Sequence, residues 1–134
     1  MAKFNYKGLG LDELKSMSPD EFMKLLPARQ RRTLKRGQVK NNAALFDKIE
    51  DAVKELEKDQ QETTIKTHLR SLVITPKMVG LTVHVHNGNT FKKVVISEPM
   101  IGHYVGEYAP TRKMVKHSSP GVGASRSSKF TPVK

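Results

Sequence analysis

Five histidines and no cysteine set the chemistry open to this chain. His84 and His86 stand two apart in the run Leu81-Thr82-Val83-His84-Val85-His86. A strand would place both rings on one face about 7 Å apart, a spacing that suits two ligands of one metal. A zinc site needs further ligands, however, and the nearby candidates are Thr82, Asn89 and Lys93 rather than carboxylates or thiolates. No metal is expected, and packing or contact with a macromolecular partner is the better reading of the pair. The segment Gly121-Val122-Gly123-Ala124-Ser125-Arg126-Ser127-Ser128 has the glycines of a phosphate loop but lacks its Gly-Lys-Ser/Thr ending and follows no strand pattern. A hydrolytic triad would need a serine beside a histidine oriented by a buried acid, and the only acids after residue 63 are Glu98 and Glu107. No catalytic residue, no cofactor and no small-molecule substrate is therefore expected. Aromatic residues make up 6% of the chain, so stacking of bases across a sheet has little compositional support.

The elements that would position these residues can be read from local signals. Ser18-Pro19-Asp20-Glu21 marks a helix start, because Ser18 can cap free amides, Pro19 suits the first helical position and two acids suit the positive end of the dipole. That helix runs to about Leu26. Pro27 opens a second helical stretch in which Arg29, Arg32 and Arg36 recur at spacings of three and four, a cationic stripe that Gly37 ends. From about Asn42 to Lys58, Leu45, Ile49, Ala52, Val53 and Leu56 form one apolar stripe, which predicts the core helix. Leu72-Val73-Ile74 predicts a short strand stopped by Pro76, and Leu81 to His86 alternates strictly and predicts another. Asn87-Gly88 then precedes the strand Phe91 to Ile96, and since a type I′ turn needs positive φ at both central residues, a hairpin centred on Asn-Gly is expected. Ser97 to Tyr108 reads as a turn-rich segment folding back on the sheet. From Ala109 onward proline, glycine, serine and cations occur without apolar periodicity, so this tail should order only against a nucleic acid.

Charge identifies the partner class. The 134 residues carry 24 Lys and Arg against 13 Asp and Glu, a formal net charge of +11, and such a chain calls for a polyanion. The charge is uneven. Ala28 to Lys40 holds Arg29, Arg31, Arg32, Lys35, Arg36 and Lys40 with no acid, whereas Asn41 to Thr63 is net acidic and should avoid phosphate. Everything after Glu107 is free of acid. No apolar run approaches the roughly 18 residues of a spanning helix, and the opening residues lack a signal-peptide pattern, so an intracellular protein without a membrane partner is expected. One modest domain with extensions fits the length: a helical N-terminal extension over 1–40, an α+β core over 41–108 and a basic, irregular C-terminal tail over 109–134.

An ordered series of motifs then carries a resemblance. It comprises Arg70-Ser71-Leu72-Val73-Ile74-Thr75-Pro76-Lys77-Met78-Val79-Gly80-Leu81-Thr82, Val85-His86-Asn87-Gly88, Met100-Ile101-Gly102-His103, Gly106-Glu107-Tyr108 and Thr111-Arg112. Together they resemble the signature of the S-nineteen family of small-subunit ribosomal proteins over roughly residues 67 to 117. Leu26-Pro27-Ala28-Arg29, Leu34-Lys35-Arg36-Gly37 and the stretch Pro120 to Ser128 resemble the archaeal and eukaryotic branch, the archaeal form above all. The resemblance implies an α+β fold, with a small three-stranded sheet and a helix packed on it. It further implies a structural, non-enzymatic role in the cytoplasmic ribosome, on the 3′ major (head) domain of small-subunit rRNA. The implied partners are the ribosomal proteins S-thirteen and S-fourteen, with a C-terminal tail reaching toward the decoding site and A-site tRNA.

On this reading the candidate RNA contacts are Arg29, Arg32 and Arg36 of the basic stripe, Arg70 and Lys77 flanking the first strand, and His86, Asn87 and Gly88 at the hairpin tip. Lys92 on the following strand, His103, Gly106, Thr111 and Arg112 of the motif segment, and Lys113, Lys116, His117, Arg126 and Lys129 of the tail complete the set. Gly80 is assigned to backbone geometry, while Gly88, Gly102 and Gly106 are open between geometry and ligand contact. Met78 and Met100 are assigned to packing. A basic nucleic-acid-binding regulator outside the ribosome would use the charge equally well and is the alternative; only the motif series separates the two.

Overall fold

In the computed structural model, which describes residues 4–57 and 64–116, helices begin where the chain supplies its own caps. Helix α1 spans Leu11–Ser16, and the Glu13 carboxylate accepts the backbone N–H of Gly10 at 2.9 Å. Helix α2 spans Pro19–Leu25 behind the expected Ser18 cap. Ser18 Oγ accepts the N–H of Glu21 at 3.3 Å, and the Glu21 carboxylate in turn accepts from the Ser18 amide at 3.2 Å. The hydrogen bond from the Ser18 side chain, with that from its backbone, holds the Glu21 carboxyl below its ordinary range. Helix α3 covers Ala28–Lys35 and stops at Gly37, whose φ of 85° only glycine adopts cheaply. After the single turn α4, Gln38–Asn41, the long helix α5 runs over Ala43–Glu57.

The sheet contains β1 (Ile65–Thr67), β2 (Thr82–His86) and β3 (Phe91–Val95) in that spatial order. β1 pairs parallel to β2 with Ile65 opposite Val83, and β2 pairs antiparallel to β3 with His86 opposite Phe91. The α+β architecture is the expected one, but its first strand is not. Leu72-Val73-Ile74 lies outside the sheet and is completely buried. It pairs instead with the returning segment: Ile74 N–H donates to His103 O, Gly102 N–H to Ile74 O and Val105 N–H to Leu72 O, all at 2.9–3.0 Å. An apolar run buried on both sides satisfies its backbone wherever a partner lies, and here that partner is a loop. The actual first strand, β1, offers only Ile65 and Thr67 as an inward-facing pair, too short a pattern to detect.

The hairpin forms where expected, with a shifted turn. Asn87 N–H donates to Thr90 O at 3.0 Å, so the central residues are Gly88 and Asn89. Only Gly88 has positive φ (103°), the φ pattern of a type II′ rather than a type I′ turn. Asn87 contributes through its side chain, whose Oδ1 accepts the N–H groups of Asn89 and Thr90.

Two apolar clusters hold these elements. In the first, Ile49 and Ala52 of α5 cover Ile65, Val83, Val85 and Val94 of the sheet, with Leu72, Ile74 and Ile96 beside them. In the second, Leu14, Phe22 and Leu26 of the N-terminal helices pack on Val73 and Ile101. Leu72-Val73-Ile74 thus joins both clusters, each fully buried side chain contributing about 1.5–3 kcal/mol. Gly102 permits the second: with φ 82°, a Cβ there would lie 2.8 Å from the Tyr6 hydroxyl. Among the described residues no helix is long and apolar enough to cross a membrane.

Candidate nucleic-acid interface

The most elaborate polar arrangement centres on Arg70. Its guanidinium donates to three backbone carbonyls: His86 O at 2.7 Å, Gly106 O at 2.8 Å and Ala109 O at 2.6 Å. These belong to the end of β2 and to the 3-10 turn Val105–Tyr108 with the residue after it. One side chain therefore ties the hairpin base to the point where the C-terminal segment departs. Gly106 is required beside it: its amide donates to Arg70 O at 2.9 Å, and a Cβ at this position would stand 2.7 Å from that same oxygen. Close packing accounts for Gly106 and Gly102 without a ligand.

This clamp creates a groove. The hairpin tip, Asn87 to Thr90, faces Pro110, Thr111 and Lys113 across it. Lys113 is exposed in its lining, and Arg112 and Lys116 are exposed in the same chain segment. The groove thus gathers four candidates, Asn87, Gly88, Thr111 and Lys113, while Arg70, His86 and Gly106 are joined beneath it by the clamp. His86 also supports the tip directly, because its Nδ1 accepts the N–H of Gly88 at 3.1 Å. His103 stays exposed, its Nδ1 2.8 Å from Glu107 Oε2, while Glu107 Oε1 accepts the Tyr104 amide at 3.1 Å. Burial, with the Glu107 charge as a smaller cause, raises the nearby Tyr108 hydroxyl above its ordinary value.

Arg29, Arg32 and Arg36 are exposed, and α3 buries none of its residues, so this helix presents a second basic surface lining no part of the groove. Lys77 projects from the 3-10 turn Pro76–Met78, which packs against α1 and α5. Lys92 is exposed on β3. His117, Arg126 and Lys129 lie outside the described residues, as do Gly121 to Ser128 and most of the expected tail. His84 pairs across the sheet with Lys93, and among the described residues no group of three or more His, Asp or Glu could hold a metal ion. Acid is kept out of the groove lining: Asp12, Glu13, Asp20 and Glu21 are exposed on α1 and α2, and Asp47, Glu50, Asp51 and Glu55 on α5, with Asp51 3.5 Å from Lys54.

Two structural polar residues escaped the sequence reading. Arg31, next to the exposed stripe, turns inward and donates to Met23 O, Lys24 O and Leu26 O, capping the free carbonyls at the end of α2. Gln38 is buried, and its side-chain amide donates to Ser71 O at 2.6 Å. The only prior signal for Arg31 was its position off the stripe. Gln38 gave none.

A family profile described as Ribosomal protein S19 matches residues 32–117. A curated relative, the "Small ribosomal subunit protein uS19" of Methanococcus maripaludis, is 45% identical over 132 residues, covering 98% of this chain and 82% of that protein.

Proposed function

The chain belongs to the Ribosomal protein S19 family, and from that premise we propose that it binds the 3′ major (head) domain of small-subunit rRNA through the groove under the hairpin tip and the cations beside it. It is a structural ribosomal protein rather than an enzyme. The observation that carries the RNA reading is the separation of charge in space. Lys113 lines the groove, with Arg112 and Lys116 exposed in the same segment, and the arginines of α3 form a second basic surface. The exposed acids of the described residues lie on α1, α2 and α5, apart from Glu107, and none lines the groove. Cations placed this way neutralise phosphates and release counterions, and the rigid hairpin fixes orientation by shape. Arg70 and Gly106 act in this scheme as positioning residues, holding the tip against the tail segment.

The further assignments belong to the same proposal. They are a helical extension over 1–40, an α+β core over 41–108 and a tail over 109–134 directed at the decoding site and A-site tRNA. The proposed neighbours in the cytoplasmic ribosome are S-thirteen and S-fourteen. Two measurements test the reading. A tagged chain should remain with the small subunit through a high-salt wash on a gradient; release into the free fraction would favour an extraribosomal regulator held by charge alone. Reversing Arg112 and Lys113 to Glu should weaken association with rRNA at least tenfold more than reversing Glu50 and Asp51 to Lys. Equal effects would refute the charge map.

A further inference from the structure

We propose that the outward face of the sheet is a stacking platform for an unpaired RNA base, built from His68, His86 and Phe91 with Lys66 at its rim. The proposal rests on the RNA-binding reading above and names a mode of contact that charge alone does not supply.

Strand alternation assigns the faces. Ile65, Val83, Val85 and Val94 are buried against α5, so the intervening residues point away from the core. The register sets His86 directly opposite Phe91, and His68 follows β1 immediately. The three rings meet: His68 and His86 centroids are 4.3 Å apart, His68 and Phe91 5.1 Å, His86 and Phe91 5.0 Å. Lys66 Nζ stands 6.0 Å from the Phe91 centroid.

The core does not explain this cluster. Phe91 is 38% exposed and His68 is exposed, and neither belongs to either apolar cluster. The His68 and His86 planes lie 34° apart and Phe91 stands edge-on to them, at 80° and 69°, so a base would stack on the face of one exposed ring with the others supporting it. A neighbouring ammonium can meet the phosphate of the stacked nucleotide. The outward positions of the three strands include the exposed Lys66 and no acid, which favours a nucleic acid over a protein surface as occupant. His86 also leads directly into the tip that lines the groove, so a base on the platform and a backbone in the groove would belong to adjoining nucleotides.

The test uses the full chain and a single-stranded oligoadenylate of about twelve nucleotides, within the span such surfaces cover, together with the same strand made abasic. The intact protein should prefer the base-bearing strand by roughly five- to a hundredfold, the range base–aromatic stacking supplies. The double variant His68→Ala, Phe91→Ala should lose that preference yet keep its affinity for the abasic strand and its salt dependence, and Phe91→Trp should restore it. No preference in the intact protein, a measurement that needs no variant, overturns the platform while leaving the charge reading standing. Failure to bind either strand, at any salt, removes the RNA reading and the platform together. A double variant unchanged toward RNA but weakened toward other small-subunit proteins would make this face a protein contact and also overturn the proposal.

Discussion

The two faces of one small sheet have opposite characters. On the inner face Val83 and Val85 are 0% exposed and Ile65 4%, while on the outer face Val95 is 54% exposed and Phe91 38%. Stability is concentrated on the side that α5 covers. The other side, free of that constraint, gathers rings and cations. Neighbouring residues on a strand can therefore serve unrelated ends, and substitutions can separate them.

The largest effect is expected within β1. Ile65→Ala should destabilise the fold by about 2–5 kcal/mol through lost burial and the cavity left behind, whereas Lys66→Ala beside it should change stability by less than about 0.5 kcal/mol. Urea unfolding of both variants checks this, and similar losses would erase the distinction between the faces. Next comes Arg70, at the edge where the sheet meets the groove. Arg70→Met should cost about 1.5–3 kcal/mol, since three carbonyls lose a charged donor. It should also weaken rRNA binding, because the tail segment comes free of the hairpin. A variant equally unstable but with unaltered binding would restrict Arg70 to the fold. The smallest effect touches neither face and serves as a control. The Glu21 carboxyl is held below its ordinary value, so its contribution to stability is present above about pH 4.5 and is lost as pH falls through the lowered value. Ser18→Ala should return the Glu21 titration toward the ordinary range in an NMR pH series and leave both sheet faces untouched.

Legibility followed the range of the interactions. The Ser18 cap, the Gly37 stop and the alternation of β2 depend on residues within a turn of each other, and all appear where expected. The hairpin was equally plain, but its centre moved by one residue because the Asn87 side chain satisfies the amides of Asn89 and Thr90. Arg70 illustrates the harder case. A basic residue in a basic chain reads as a phosphate contact, yet its guanidinium is committed to carbonyls 16, 36 and 39 residues away. The exposed stripe of α3 was legible from spacing, while the inward turn of Arg31 beside it was not. Counting aromatics at 6% argued against stacking, and a count carries no information about whether the rings meet.

By itself the sequence determined the partner class, the helix boundaries set by caps and glycine, the hairpin and the motif series that marks the family. Each of these rests on composition or on neighbours a few bonds away. Only the tertiary structure decided which apolar run entered the sheet, which arginines turned inward and which rings came together. Those outcomes depend on parallel pairing and on carbonyls distant along the chain, where the free energy of contact is settled by what else is buried nearby rather than by the local residues.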